Sequence, residues 1–333
     1  MNKQDKKKYS LLMNRIAIAM MLNQGVMALL GWILAMMSPA MAKLLGEGYG
    51  FDIAYGSCEC LVYFLSFALP MNIFIKMNKD TDREIYEPIE SAKMPPYATA
   101  CAILFSLGAI VLASYLNYYA VNILWDYSDF TSSNLWSVEL NSPHQMVIYF
   151  VYSAIIPAVA EEYFFRGAIC KSLTVYGKGT AIAVSAVLFA LMHANVEQLI
   201  YAFVAGALLA WIYVETKSIV FPILVHFLNN AIPALGDILK AIYGQDVYNT
   251  YVTVTDLSLI LLSAISVVGI VIYVKKKGRL IDKLVIKPDE NGNFVAPLTL
   301  QERASGFFSG GIIVFVVYSL IVMTGLVILS VVA

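Results

Sequence analysis

A group of ionisable and amide side chains lies inside apolar stretches between residues 146 and 236, where polar groups are unexpected. Its members are Glu161, Glu162, Arg166, His193, His226 and Asn230. An ionisable side chain near the centre of a bilayer costs about 2.5 to 3.5 kcal/mol on insertion scales, so each one needs a partner or a function. A carboxylate, two imidazoles and an amide can together activate water and stabilise an oxyanion, which is the chemistry of a hydrolase.

Spacing along a helix separates the two adjacent glutamates. Glu162 and Arg166 are four residues apart, which predicts an ion pair on one helical face. Glu161 points about 100° away from Glu162 and has no cationic neighbour on that helix, so it remains available as a base. The assignment depends on the phase of the helix, because a one-step rotation would exchange the two carboxylates.

The other polar residues show the same four-residue interval. His226 and Asn230 present an imidazole and an amide on one helical face, and Phe189 would place an aromatic wall beside His193. Polar side chains that merely join packed helices contribute about 0.6 to 2 kcal/mol each, which would explain any one of these residues. Because these polar side chains come from three separate predicted helices, together they indicate a shared site.

Composition indicates an integral membrane protein. The chain has 333 residues, of which 60% are hydrophobic and 14% charged, whereas soluble domains have about 25% charged residues. A helix needs about 20 apolar residues to span a bilayer core. Runs of about this size lie near 16–42, 52–75, 97–120, 146–170, 179–195, 196–214, 218–236, 256–274 and 306–332. The fifth run is short and almost continuous with the sixth. We therefore predict an all-α polytopic membrane helical bundle with about 8–9 transmembrane helices.

The charges of the loops predict an orientation. Lysine and arginine cluster in the N-terminal segment and in segments 76–95, 166–178 and 275–304, whereas segment 121–145 has neither. If the spans alternate, the basic segments share the cytoplasmic side. The N-terminus is then cytoplasmic, in what we expect to be a bacterial plasma membrane. The predicted regions are a three-span N-terminal region 1–145, a four-helix catalytic core 146–236, and a two-span region 237–333 with a cytoplasmic loop 275–304.

Depth in the membrane constrains the site. Glu161 is expected in the middle or the cytoplasmic half of its span, as a cytoplasm-facing site requires. His193 falls toward the outer end of the short fifth run. A fifth helix that begins deeper, or a water-filled cavity in which that helix ends, would bring the two residues together.

Three short motifs in this region resemble those of the CPBP family of intramembrane proteases. That family includes type II CAAX prenyl endopeptidases and Abi-like bacterial proteins linked to bacteriocin processing and self-immunity. "EEYFFR" is similar to the family's E-E-x-x-x-R, "FALMH" to F-x-x-x-H and "HFLNN" to H-x-x-x-N, over residues 146–236. The resemblance implies that Glu161 and His193 activate a water molecule. It also implies that His226 and Asn230 hold the oxyanion.

The same resemblance makes Glu162 and Arg166 a supporting ion pair and leaves a metal possible. Glu161, His193 and His226 could hold a zinc ion with an open position for water. The sequence has no HExxH motif, and no carboxylate that would orient either histidine can be read from it. We therefore favour a metal-free mechanism without a cofactor, with divalent zinc as the alternative.

The sequence thus predicts an intramembrane endopeptidase. It would hydrolyse a peptide bond in a lipidated, membrane-inserted or small hydrophobic peptide, near the cytoplasmic side of the membrane. The expected partners are a peptide or lipidated protein substrate and membrane lipids, and the net charge of -1 gives no basic face for nucleic acid. One alternative is a non-proteolytic membrane immunity or scaffold protein that keeps the polar pocket as structural glue. Another is a proton-coupled transporter, although no inverted repeat is visible.

Overall fold

The computed structural model describes residues 3–79, 94–125, 140–278 and 299–332, and all secondary structure in these ranges is helical. The helices are α1 (Lys3–Leu45), α2 (Tyr49–Met77), α3 (Pro96–Trp125), α4 (Pro143–Tyr176), α5 (Lys178–Met192), α6 (Leu199–Thr216), α7 (Val220–Tyr243), α8 (Gln245–Lys277), α9 (Leu300–Phe307) and α10 (Gly310–Val332). The predicted all-α membrane fold is confirmed. The predicted loop 275–304 lies mostly outside the described residues.

The number of membrane-spanning helices roughly matches the predicted eight or nine. Within the described ranges, seven helices are long and apolar enough to cross a bilayer, and the bent pair α9–α10 would make eight. The fifth predicted run forms α5, a helix of 15 residues. At about 1.5 Å per residue it is roughly 22 Å long, which is shorter than a bilayer core. The last predicted run is broken by a bend of 63° between Phe307 and Gly310, with Phe308 and Ser309 outside either helix.

The helices that contain the polar motifs are packed between two flanking groups. On one flank, α1 packs against α2 and α10, and α2 packs against α4. On the other flank, α3 packs against α6 and α8. One core cluster joins side chains of α1, α2, α4, α5, α6 and α10, and a second joins α3, α6, α7 and α8. The motif region is therefore supported by helices that lie outside it in the sequence.

Basic side chains gather at one end of the bundle, which we call the basic end. Glu215, at the C-terminus of α6, connects the helix ends that meet there. Its carboxylate contacts Lys178 at the start of α5 and Lys277 at the C-terminus of α8. Its backbone carbonyl accepts a hydrogen bond from the N–H of Met94, just before α3. Arg303 of α9 donates to Thr180 at the start of α5. The basic residues at this end are Lys6, Lys7, Lys8, Arg15, Lys76, Lys79, Lys171, Lys178, Lys217, Lys275, Lys276, Lys277 and Arg303. The described basic residues of the four basic segments, apart from the buried Arg166, therefore lie at one end, as alternating spans require.

The opposite end, which we call the acidic end, has the reverse charge. His144 at the start of α4 contacts Asp52 at the start of α2, with 2.9 Å between Nε2 and Oδ2. Tyr115 of α3 donates to Asp256 of α8 at 2.7 Å. The carboxylates at this end are Glu47, Asp52, Glu197, Asp237, Asp246 and Asp256, and its described lysines are Lys43 and Lys240. The bundle is thus electrically polarised along its axis.

Helix α4 contains two π-helical stretches, Val151–Ile155 and Tyr163–Cys170, on either side of the glutamate pair. Such i→i+5 turns are rare and occur most often as local bulges at functional sites. Pro157 lies just beyond the first stretch and has no N–H to donate to the carbonyl four residues earlier. The phase of α4 around Glu161 and Glu162 is therefore set by two departures from ideal helical geometry.

Candidate active site

A cavity of about 290 Å³ lies between α2, α4, α5, α6 and α7, with one contribution from α3. Four of the six predicted site residues line it, namely Glu161, His193, His226 and Asn230. Glu162 and Arg166 lie beneath it, fully buried. The structure therefore brings the three motifs together, and it divides their side chains into a set that faces the cavity and a pair that supports it.

Glu161 is held by a residue from outside the motif region. The hydroxyl of Tyr63, in α2, donates a hydrogen bond to Oε1 of Glu161. Oε2 is buried and accepts no hydrogen bond from the described residues, and the side chain as a whole is 3% exposed. One carboxylate oxygen is thus fixed by Tyr63 and the other is buried without a hydrogen-bond donor from the described residues, in a side chain that lines the cavity.

Glu162 contacts an arginine and a histidine below the cavity. Its Oε1 lies 2.8 Å from Nη1 of Arg166 and 2.8 Å from Nδ1 of His226. Because the carboxylate accepts at Nδ1, that nitrogen of His226 carries the proton and Nε2 is the remaining polar atom of the ring. The ion pair predicted from the i,i+4 spacing is present, and the structure adds an interhelical contact to His226.

Arg166 is anchored from three directions. Besides Glu162, it donates from Nη2 to the carbonyl of Gly206 in α6 at 3.0 Å. Its guanidinium carbon lies 4.7 Å from the centroid of the Phe189 ring, a cation–π distance. A Cβ on Gly206 would lie 3.1 Å from the Cα of Ala186, so glycine permits this close approach of α5 and α6. The arginine therefore joins α4, α5 and α6 beneath the cavity.

His193 immediately follows α5. Its Nδ1 donates to the carbonyl of Phe189 at 2.7 Å, and the two rings pack edge to face with centroids 4.9 Å apart. Nε2 is then the acceptor of the neutral imidazole. Ala194 has a φ of 47°, an uncommon left-handed conformation for a residue other than glycine, and it turns the chain away directly after the histidine. The helix ends at the cavity, and His193 and Glu161 line the same space despite the depths expected from the sequence.

The amide of Asn230 is oriented by its neighbour. Asn229 donates from Nδ2 to Oδ1 of Asn230 at 3.0 Å and also to the hydroxyl of Tyr201 at 3.1 Å. With Oδ1 occupied, the Nδ2 group of Asn230 is the free donor of that amide. All three residues line the cavity.

Three of these residues were missed from the sequence. Tyr63 and Tyr201 are single tyrosines in apolar helices, where an aromatic side chain needs no special explanation. Tyr63 is also 98 residues from its partner Glu161, so no local spacing could reveal the contact. Asn229 had a weak signal, because two consecutive asparagines in an apolar helix are costly to bury.

The cavity extends away from the basic end. Its lining residues in α4 are Tyr149, Ser153, Pro157 and Glu161, and α4 runs from the acidic end toward the basic end. Beyond Glu161, the buried Glu162 and Arg166 close the space. The sequence placed the reaction nearer to the basic end, whereas the cavity reaches from mid-depth toward the acidic end.

The donor set does not fit a metal as it stands. No group of three or more His, Cys, Asp and Glu side chains is placed to hold an ion within the described parts of the chain. Glu161, His193 and His226 line one cavity without converging as ligands. We therefore assign no catalytic step to a metal ion.

Comparison with known proteins supports the motif assignment. Residues 143–232 match the model of the family described as type II CAAX prenyl endopeptidase Rce1-like, over a little more than a quarter of the chain. Comparisons with curated proteins and with solved structures gave no match. The family match spans the three motifs and nearly all of the predicted core 146–236. It confirms that this part of the chain resembles the CPBP intramembrane proteases.

Proposed function

We propose that this protein is an intramembrane endopeptidase that hydrolyses a peptide bond with a water molecule activated by Glu161 and His193. The observation that carries the proposal is that Glu161 and His193 line the same cavity as His226 and Asn230. All four residues belong to the region that matches a protease family. A non-proteolytic scaffold would need the buried ion pair but would have no use for a carboxylate, two imidazoles and an amide around one cavity.

The first step is attack by water on the carbonyl carbon of the substrate. The carboxylate of Glu161 takes one proton from water while the water oxygen forms a bond to the carbonyl carbon. Tyr63 holds Oε1, so the carboxylate keeps one orientation during the transfer. Nε2 of His193 accepts a hydrogen bond from the same water and aligns its lone pair. The product of this step is a tetrahedral intermediate with a negatively charged oxygen.

The second step stabilises and then breaks this intermediate. Nδ2 of Asn230 donates to the oxyanion, and Nε2 of His226 does so when the ring carries its second proton. Glu162 stabilises that cation, because its carboxylate contacts Nδ1 at 2.8 Å. The C–N bond then breaks, and the proton held by Glu161 passes to the departing amine.

The substrate class follows from the position of the site between membrane helices. We propose a lipidated, membrane-inserted or small hydrophobic peptide, with membrane lipids as the surrounding partner. The protein is integral to the membrane. We further propose a bacterial plasma membrane, with the basic end and the N-terminus on the cytoplasmic side, because basic segments are retained there.

The test is cleavage of fluorogenic lipidated and unlipidated peptides by the purified full chain in lipid nanodiscs. Glu161→Gln and His193→Ala should abolish cleavage. Glu59→Gln is the matched control, because Glu59 is a half-buried glutamate of α2 that does not line the cavity. Activity should be unchanged by a chelator. If chelation abolishes cleavage and zinc restores it, the metal-free mechanism is wrong, and if Glu161→Gln retains activity the assigned site is wrong.

A further inference from the structure

A second cavity, which we call the outer chamber, adjoins the catalytic cavity. It has a volume of about 490 Å³ and lies between α3, the turn before α6, α7 and α8. The two cavities share the lining residues Gln198, Tyr201, Asn229, Asn230 and Pro233. Helices α3 and α8 lie outside the region that matches the protease family. The outer chamber therefore shares a wall with the catalytic cavity and is built partly from unmatched sequence.

The walls of the outer chamber are largely apolar and aromatic. Leu107 and Val111 of α3 face Val252 and Leu259 of α8 across it. Tyr251 also lines it and donates to the carbonyl of Ile232 at 2.9 Å, which fixes its ring. Cavities of several hundred Å³ with apolar walls and a few fixed polar groups are typical of ligand sites. The chamber suits the apolar side chains of a peptide.

The charged side chains that line the outer chamber are acidic. Glu197 and Asp256 are both among its lining residues, and Tyr115 holds Oδ2 of Asp256 at 2.7 Å. In the described part of the chain, neither cavity is lined by lysine or arginine. Lys240 lies outside the lining, with Nζ 5.5 Å from the centroid of the Tyr248 ring. Tyr248, which lines the chamber, thus already contacts a cation.

We infer that the outer chamber binds the part of the substrate next to the cleaved bond, and that this part is an apolar peptide segment with a basic side chain. The inference rests on the proposed function, because it extends the same site. A lysine or arginine of the segment pairs with Asp256, and its aliphatic stem lies against the tyrosines. A carboxylate or phosphate at this position would meet two acidic side chains, and no lysine or arginine of the described residues lines the chamber.

The test measures binding rather than cleavage, so that it does not depend on turnover. The probe is a short fluorescent peptide of leucine, alanine and valine with one central lysine, compared with the same peptide containing glutamine or glutamate. Binding is followed by fluorescence polarisation to the full chain carrying Glu161→Gln in nanodiscs. We expect the lysine peptide to bind at least about tenfold more tightly than the glutamate peptide. Adding Asp256→Asn should remove most of that preference.

Two further variants distinguish the chamber from general surface charge. Asp256→Glu keeps the charge and should keep the preference. Asp246→Asn makes the same change of charge ten residues earlier on α8, outside the chamber lining, and should also leave the preference intact. Equal binding of the three peptides, an unchanged preference in Asp256→Asn, or an equal loss in Asp246→Asn would overturn the inference. If the wild-type chain cleaves all three peptides equally and Glu161→Gln abolishes that cleavage, the proposed function holds and the inference about the outer chamber is wrong.

Discussion

The contact between Tyr63 and Glu161 leads to the sharpest prediction. Tyr63→Phe keeps the aromatic ring, which packs against Phe67 and Tyr152, and removes only the hydroxyl that donates to Oε1 of Glu161. A hydrogen bond to a charged group contributes about 1.5 to 3 kcal/mol. If the bond holds the base in the transition state, its loss lowers kcat by roughly 10- to 100-fold. KM should change little, because the ring that the substrate meets is retained.

The assay compares steady-state cleavage by the wild-type chain and Tyr63→Phe, with thermal unfolding of each protein measured in parallel. Tyr273→Phe is a close control, because the Tyr273 hydroxyl also donates to a buried glutamate, Glu215, at 2.9 Å and lies far from the cavity. That variant should lose a similar amount of stability and keep its kcat. Equal losses of activity in the two variants, or full activity in Tyr63→Phe when Glu161→Gln is inactive, would refute a positioning role.

Three further results are expected from the same purified protein. Glu162→Gln should destabilise the fold by about 3 to 5 kcal/mol, because it leaves the fully buried Arg166 without its carboxylate; a variant with wild-type thermal stability would contradict this. Gly206→Ala should lower the free energy of unfolding by about 1 to 3 kcal/mol, because the new Cβ would meet Cβ of Phe189 at 3.2 Å. Gly179→Ala, at a position with open space around it, should leave the free energy of unfolding nearly unchanged. A chelator should leave both peptide cleavage and thermal stability unchanged, and a lowered unfolding temperature would point to a bound metal.

Local spacing was sufficient to predict the parts of the site that lie on one helix. The pair Glu162–Arg166 and the ring contact of Phe189 with His193 each follow from a four-residue interval, and both are present. Contacts between distant helices could not be predicted in this way. Tyr63 reaches Glu161 only because α2 packs against α4, and no pattern in α2 marks that one tyrosine.

Membrane-span prediction succeeded where apolar runs were long and failed where the chain departs from regular helix. The all-helical bundle and its approximate number of spans follow from hydrophobicity alone. The fifth run is recognisably short in the sequence and forms the short α5. The 63° bend before α10 does not follow from hydrophobicity, because a window of about 20 residues averages over it. Likewise, the two π-helical stretches beside Glu161 shift the phase of α4 in a way that a fixed angle per residue cannot show.

In the orientation that we propose, the direction in which the cavities extend would determine when a substrate is processed. Both cavities reach toward the acidic end, and with the basic end in the cytoplasm this is the far half of the membrane. A peptide made by the ribosome would have to be translocated, at least in part, before its bond reaches Glu161. Cleavage would then follow translocation of the scissile bond and could not precede it.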